Sequence, residues 1–239
     1  LIWKKELREL GNGCKMIIKM DKKFEDCSVG ILGFRGNLLV DSLKKNNIRN
    51  YKLLEDESDI SNNLDFVFVS GYYKIISDKV IDRVRYGIYC FHESPLPEGR
   101  GHAPIQWTIL NNRNNLTISM FKIDKGIDTG LISYQYNVSI NEMDTYKILE
   151  SKRQDGIIKC FDMFIKELDS RIITLRKQTG KGSYQKRRTP DDSELNLETS
   201  DINNLWKGIR ICDNDKFPAF FRIGDKKVVL RYEVVDDNK

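Results

Sequence analysis

Val29-Gly30-Ile31-Leu32-Gly33-Phe34-Arg35-Gly36-Asn37 decides the fold class. An unbroken apolar run enters a glycine-containing turn and gives way to apolar-periodic sequence from Leu38 to Leu43. That succession reads as strand, turn and helix, the opening of an α/β unit. Phe66-Val67-Phe68-Val69 is a second apolar strand, followed by turn-like Ser70-Gly71-Tyr72-Tyr73 and a short helix starting near Ser77. A third, Gly87-Ile88-Tyr89-Cys90-Phe91, delivers His92 at its C-terminal end. Apolar strands alternating with helices imply a mostly parallel sheet flanked by helices and buried on both faces. Ligands of such sheets bind beyond the carboxyl ends of the strands, where the strand order reverses. His92 is placed where that rule puts chemistry.

Further along, Ala103 to Leu110 reads as a helix that tolerates Pro104 in its first turn, where the missing N–H has no intrahelical partner anyway. Leu116 to Ile123 reads as a strand. Residues 141–168 carry Tyr146, Leu149, Ile157, Phe161, Phe164 and Leu168 at helical spacing, with Gly156 as a candidate interruption. Beyond Thr179-Gly180-Lys181-Gly182-Ser183 the sequence turns polar and basic. A helix over 200–212 and strands over 217–223 and 227–235 follow, with Gly224-Asp225 suited to a hairpin turn. The expected organisation is an N-terminal extension over 1–27, which is rich in Lys and Glu without a clear core pattern, a main domain over 28–180, and a small C-terminal α+β module over 181–239.

Forty basic against 35 acidic residues leave a formal charge of only +5, with the two signs interspersed. That balance suits anionic ligands but argues against nucleic acid, because no long basic tract is interleaved with aromatics; Lys181 to Arg188, the densest cluster, reads as a solvated loop. Five cysteines without a CxxC pair and two histidines make a poor zinc ligand set, so no metal is expected. The thiols read as free, in a reducing compartment. No apolar run approaches the roughly 20 residues that span a bilayer, and no signal-peptide core stands at the first residues. The cytoplasm is the expected location.

Chemistry concentrates in Phe91-His92-Glu93-Ser94-Pro95-Leu96-Pro97, Arg100-Gly101-His102-Ala103-Pro104-Ile105-Gln106 and Lys125-Gly126-Ile127-Asp128-Thr129-Gly130. His92 and Asp128 each sit beside turn-forming residues, a pairing that suggests acid/base work in a cleft. Taken singly, His92 could be a hydrogen-bonded structural histidine, Asp128 an Asx-turn former, and Gly33 to Asn37 either a plain turn or a phosphate cradle built from backbone N–H groups.

The paired motif, His-x-Ser-x-Leu-Pro-x-x-Arg-Gly-x-x-Pro-Ile-Gln followed by Gly-Ile-Asp-Thr-Gly, resembles the signature of the folate-dependent formyltransferases, and most of all the sugar-nucleotide N-formyltransferases among them. The resemblance covers roughly residues 28–175, and Tyr184 to Glu194 is similar to the segment that follows the catalytic domain in several members. It implies a Rossmann-like fold and transfer of the formyl group of N10-formyltetrahydrofolate to an amine. It implies His92 and Asp128 as catalytic residues. For the cofactor it implies Tyr73, Ile75, Ile123, Lys125 and Asp128; for the acceptor, Lys74, Arg100, Gly36 and Asn37, although Arg100 could instead be a structural partner, and His102 is not required by the motif. Cys90 departs from the family pattern, which has an asparagine there thought to hold the formyl oxygen. Three readings follow: a nucleotide-linked amino sugar as acceptor, favoured by near-balanced charge and the 59 residues after position 180; methionyl-tRNA; or a folate- or nucleotide-binding protein impaired in turnover. A homodimer is the expected assembly.

Overall fold

The structure, a computed structural model, describes residues 5–9, 14–198 and 201–235. In chain order its elements are β1 (Lys5–Glu9), β2 (Cys14–Lys19), β3 (Val29–Leu32), α1 (Asn37–Lys45), β4 (Tyr51–Leu54), β5 (Phe66–Val69), α2 (Asp78–Ile81), β6 (Gly87–His92), β7 (Arg100–Gly101), α3 (Pro104–Leu110), β8 (Asn115–Lys122), β9 (Ile132–Ser139), α4 (Tyr146–Leu168), β10 (Ile172–Arg176), β11 (Tyr184–Gln185), α5 (Ile202–Arg210), β12 (Phe220–Ile223) and β13 (Lys226–Val229). Nine strands form one mixed sheet in the order β1-β2-β10-β9-β8-β6-β5-β3-β4. β4, β3, β5 and β6 run parallel, and antiparallel pairing takes over from β6 to β8 outward. Among the described residues no helix is long and apolar enough to cross a membrane.

Side-chain alternation along the parallel strands assigns each face its own core. Val29, Ile31, Phe66, Phe68, Tyr89 and Phe91 join Leu39 and Leu43 of α1 and Ile157, Phe161 and Phe164 of α4 in the larger cluster. Leu32, Val67, Val69 and Ile88 face the other way and bury Val80 and Ile81 of α2. Leu39 and Leu43 are wholly buried, each stabilising by about 1.5–3 kcal/mol. By the same alternation Cys90 and His92 belong to the α2 side, whereas Glu93, just past the strand, reaches Arg153 of α4. The carboxyl edge of the sheet therefore has two distinct flanks at residues 92 and 93.

Four features depart from the sequence reading. Residues 1–27 were expected to lie outside the fold, yet β2 pairs along its length with β10, and Ile18, Met20, Phe24 and Cys27 enter the main core. Only alternate positions of this outer antiparallel strand are buried, so its apolar signal is thin. Gly156 does not interrupt α4: a Cβ there would come within 2.8 Å of both Ile118 and Val138, so the glycine lets the helix press onto β8 and β9. Strand order reverses between β3 and β5, one strand away from β6, so the switch point is not at His92 itself. β4, β9 and β10 were not anticipated; their apolar residues are too few or too interrupted to stand out.

Residues 181–235 lie on the main unit. The main-chain N–H groups of Arg100 and His102 donate to the carbonyls of Ser183 and Gln185, and Leu195, Ile211, Cys212 and Ala219 share the larger core cluster. The Gly224-Asp225 turn joins β12 to β13.

Candidate active site

β6 carries His92 to the carboxyl edge of the sheet, and the turn after β8 brings Asp128 to it. Nδ1 of His92 stands 3.8 Å from Oδ2 of Asp128. Its Nε2 lies 2.8 Å from the carbonyl oxygen of Gly99, and because a carbonyl can only accept, Nε2 carries a proton. Nδ1 is thereby the nitrogen turned toward the carboxylate. Asp128 Oδ2 accepts the main-chain N–H of Gly101 at 2.8 Å. His92 is buried and Asp128 nearly so, and the 36 residues that separate them along the chain close into one contact.

The surrounding loops are over-determined. Asp128 holds a left-handed backbone conformation with φ of +53°, as does Ala103 ahead of α3, a geometry that costs a non-glycine residue about 1–2 kcal/mol and concentrates at functional sites. Gln178 clamps the Asp128 turn by donating from Nε2 to the carbonyls of Asp128 at 2.8 Å and Gly130 at 2.9 Å. Arg100 in turn donates to Gln178 Oε1 at 2.7 Å. Gly130 has no room for a side chain, since a Cβ would fall 1.8 Å from the Lys122 carbonyl oxygen. On the other side, Ser119 Oγ donates to the Ser94 carbonyl at 2.5 Å and receives a bond from Gln135 at 2.9 Å, holding the turn after His92.

Cys90 lies two residues before His92, half-buried among Ile123 and its neighbours. Burial, reinforced by the carboxylates of Asp128 and Glu93, drives its thiol far above the ordinary cysteine range. It is therefore a neutral thiol and a weak hydrogen-bond donor, with none of the features of an activated nucleophile.

The residues expected to meet the cofactor differ in exposure. Tyr73 is 88% exposed and Ile75 76% exposed, Ile127 is exposed next to Asp128, and Ile123 is partly buried against the α2-side core. Lys125 forms an ion pair with Asp78 at 3.5 Å, tying the Asp128 loop to α2. Among the residues expected to meet the acceptor, Lys74 is engaged by Asp56 at 2.6 Å, and Arg100 is turned to Gln178. Gly36 packs against Ile31, and Asn37 opens α1 and lines a groove toward α4.

Sequence reasoning missed Gln178, Gly99 and a buried charge network on the α1/α4 flank. There Arg153, whose side chain is 8% exposed, meets Glu93 at 3.6 Å and bonds Glu150. Glu150 also accepts the Tyr146 hydroxyl at 2.8 Å and stands 3.7 Å from Arg35. Burial and the neighbouring Arg153 lower the Arg35 guanidinium from its ordinary value. No local motif marks these residues; only the packing of α4 on the sheet brings them together. A separate cavity of about 510 Å³ opens at the amino ends of the parallel strands, lined by Lys22, Asp65, Arg83 and Arg85, at the opposite end of the sheet from His92.

An α/β sheet with an imidazole–carboxylate pair at its carboxyl edge is suited to acid–base chemistry on a bound substrate. The chain belongs to the formyl transferase family, whose pattern matches residues 40–159, including both His92 and Asp128. It is 31% identical over 182 residues to the methionyl-tRNA formyltransferase of Thermodesulfovibrio yellowstonii, an alignment covering 74% of this chain. The chain spans 57% of the length of that relative. It is similar to the formyltransferase PseJ of Anoxybacillus kamchatkensis, solved with UDP-4,6-dideoxy-4-formamido-L-AltNAc and tetrahydrofolate, at 25% identity and a TM-score of 0.59, covering 77% of this chain and 98% of that one. A 4-N formyltransferase from Francisella tularensis shares the fold with a TM-score of 0.74 at 16% identity, covering 88% and 98% of the two chains.

Proposed function

We propose that this protein transfers the formyl group of N10-formyltetrahydrofolate to the amine of a nucleotide-linked amino sugar. The observation that carries the reading is the meeting of His92 and Asp128 at the carboxyl edge, inside the stretch that the family matches. The exposed side chains of Tyr73, Ile75 and Ile127 offer apolar surface that a flat pterin ring would bury, and the folate supplies an activated formyl group. Ile123 and the Lys125 to Asp128 turn offer main-chain groups on the same side.

Attack by a neutral amine on a carbonyl carbon builds negative charge on the carbonyl oxygen and leaves a surplus proton on nitrogen. Asp128, held by Gly101 and Gln178, accepts that proton or orients His92 at Nδ1 for the transfer. His92, its Nε2–H donated to Gly99, turns Nδ1 toward Asp128, and the proton taken up there would pass to the folate nitrogen that leaves as the carbonyl re-forms. Cys90 contributes little as a donor to the carbonyl oxygen. Removing one such donor costs about 2.7–4 kcal/mol, on the order of a hundred- to a thousandfold, against enzymatic accelerations of roughly a millionfold or more. Turnover survives that loss.

The flank beside His92 supports a small acceptor. There Arg35 and Arg153 are offset by Glu150 and Glu93, so the flank is not the continuous basic surface that a nucleic-acid backbone calls for. The test is formyl transfer to a panel of dTDP- and UDP-linked amino sugars with N10-formyltetrahydrofolate; no product with any of them defeats the reading. The resemblance to the methionyl-tRNA enzyme of Thermodesulfovibrio yellowstonii supports a second reading, with initiator tRNA as acceptor. A salt-sensitive gel shift with that tRNA, together with formylation of its methionyl group, would favour it. A homodimer in the cytoplasm belongs to the first reading, and light scattering of the purified protein checks the assembly.

A further inference from the structure

We propose that the cavity at the amino ends of the parallel strands is a second ligand site, which takes a phosphate-bearing anion and stands apart from His92 and Asp128. Neither the formyl donor nor its acceptor enters the assignment.

Charge is the first argument. The cavity, of about 510 Å³, is lined by the cations of Lys19, Lys22, Arg83, Arg85 and Lys122 against the carboxylates of Asp65 and Asp82. Its size falls in the range of small-molecule sites, about 300–1,000 Å³. Over the whole chain 40 basic residues face 35 acidic ones, so the excess here is a local concentration and not the average of the surface. Like charges gathered around a concave space repel one another and raise the potential within it, and an anion bound among them relieves that repulsion.

Construction is the second. Asp65, buried in the floor, accepts the Ser28 N–H at 2.7 Å and the Lys22 ammonium at 2.6 Å, and stands 3.6 Å from the Arg85 guanidinium. Asp21 engages Arg85 at 2.6 Å from outside the cavity. Main-chain bonds from Arg85 to the Leu64 carbonyl and from Tyr86 to the Asp65 carbonyl fasten together the two loops that carry these groups. Lys22 and Arg85 are thus held in place before a ligand arrives, which lowers the ordering cost of binding. Lys122 reaches the cavity from the end of β8 across Gly87, where a Cβ would fall 2.3 Å from the lysine Cε. Gly87 has φ of +117°, so the bare backbone both makes the turn into β6 and leaves passage for the lysine stem.

The rim is the third. Arg83 is exposed and engages no carboxylate among the described residues, and its planar fork of donors matches the paired oxygens of a phosphate group. Asn62 and Asn63 add side-chain amides from the facing loop. β6 runs from Gly87 at this end to His92 at the other, so the whole strand separates the cavity from the imidazole–carboxylate pair, and none of the five cations takes part in the proposed transfer.

Isothermal titration of the full chain with inorganic phosphate and with inorganic pyrophosphate, alongside NMR amide shifts, tests the assignment. Pyrophosphate is expected to bind with a Kd below about 1 mM and to move the amides of residues 62–65 and 81–87. Arg83→Ala should weaken it about threefold to tenfold and Arg83→Glu about 10- to 100-fold, as loss and reversal of a charge-assisted contact predict. Lys122→Met should weaken it about tenfold, and Arg83→Lys should keep most of the wild-type affinity. The Tm of the Arg83 variants should stay within about 2 °C of wild type, as expected for an exposed side chain. The site is refuted if pyrophosphate does not bind, if its amide shifts gather at residues 34–37 and 92–93 instead, or if Arg83→Glu leaves its affinity unchanged. UMP moving the same amides as pyrophosphate would make a nucleotide the source of the phosphate, and shifts from the inorganic ions alone would make it the free ion.

Discussion

Replacing Asp128 separates charge from conformation, because asparagine and alanine remove different things. Asp128 sits at φ of +53° and accepts the Gly101 N–H at 2.8 Å. Asparagine tolerates the left-handed region and keeps an oxygen for Gly101, so Asp128→Asn deletes little besides the negative charge and the capacity to take a proton. Its expected cost is that of a lost acid/base group, about 100- to 10,000-fold in kcat, with the folate affinity and Tm nearly unchanged. Alanine loses the same function, leaves the Gly101 donor unmatched at about 1–3 kcal/mol and sits less readily at this φ by about 1 kcal/mol. The sum is about 2–4 kcal/mol, a Tm depression on the order of 10 °C for a chain of this size. Single-turnover formyl transfer and differential scanning calorimetry on both variants decide the matter. If Asp128→Asn keeps more than about a tenth of wild-type kcat, the carboxylate is not the acid/base partner of His92, and the pair is only a structural contact.

Other expectations follow from the same geometry. Cys90→Asn introduces an amide donor beside His92 and should keep or raise kcat; a collapse of activity with the fold intact would show that the thiol has a role of its own. Arg153→Met leaves the Glu93 and Glu150 carboxylates without their shared partner, and should cost about 3–5 kcal/mol, seen as a lower urea midpoint; an unchanged midpoint would contradict the network. Burial pushes the thiols of Cys27 and Cys160 up to about 12. Because these groups stay protonated in the folded state while the unfolded chain ionises them, their contribution is fully present below about pH 9. It is lost as pH rises toward 12, which equilibrium unfolding across that range checks. At pH 8, iodoacetamide should label Cys27, Cys90 and Cys160 slowly in native protein and rapidly in denaturant, read by peptide mass spectrometry; fast native labelling at Cys90 would mean that it is a reactive thiolate.

The three apolar strands at 29–32, 66–69 and 87–92 were legible because strands buried on both faces need unbroken apolar sequence, and the short turns after them fixed the direction in which His92 would point. The motif residues His92 and Asp128 were legible as chemistry for the same local reason: each sits in a turn whose glycines and prolines set the backbone. β2 was not, since an outer antiparallel strand buries only alternate side chains, and its pairing with β10 links residues more than 150 positions apart. Gly156 misled because a glycine in a helical pattern weakens the helix locally, whereas close packing on Ile118 and Val138 favours it globally.

By itself the sequence determined the α/β class and the strand that carries His92, and it singled out His92 and Asp128 as the pair to look for together, all from signals written within a few neighbouring positions. Only the tertiary structure decided that Nδ1 and not Nε2 faces the carboxylate, that Gln178, itself held by Arg100, clamps the main chain of the turn that carries it, and that Arg35 and Glu93 share a flank through Arg153 and Glu150. Those relations depend on α4 docking across β8 and β9 and on the chain returning after β10, and no local pattern of residues encodes which distant side chains a packed helix will bring into contact.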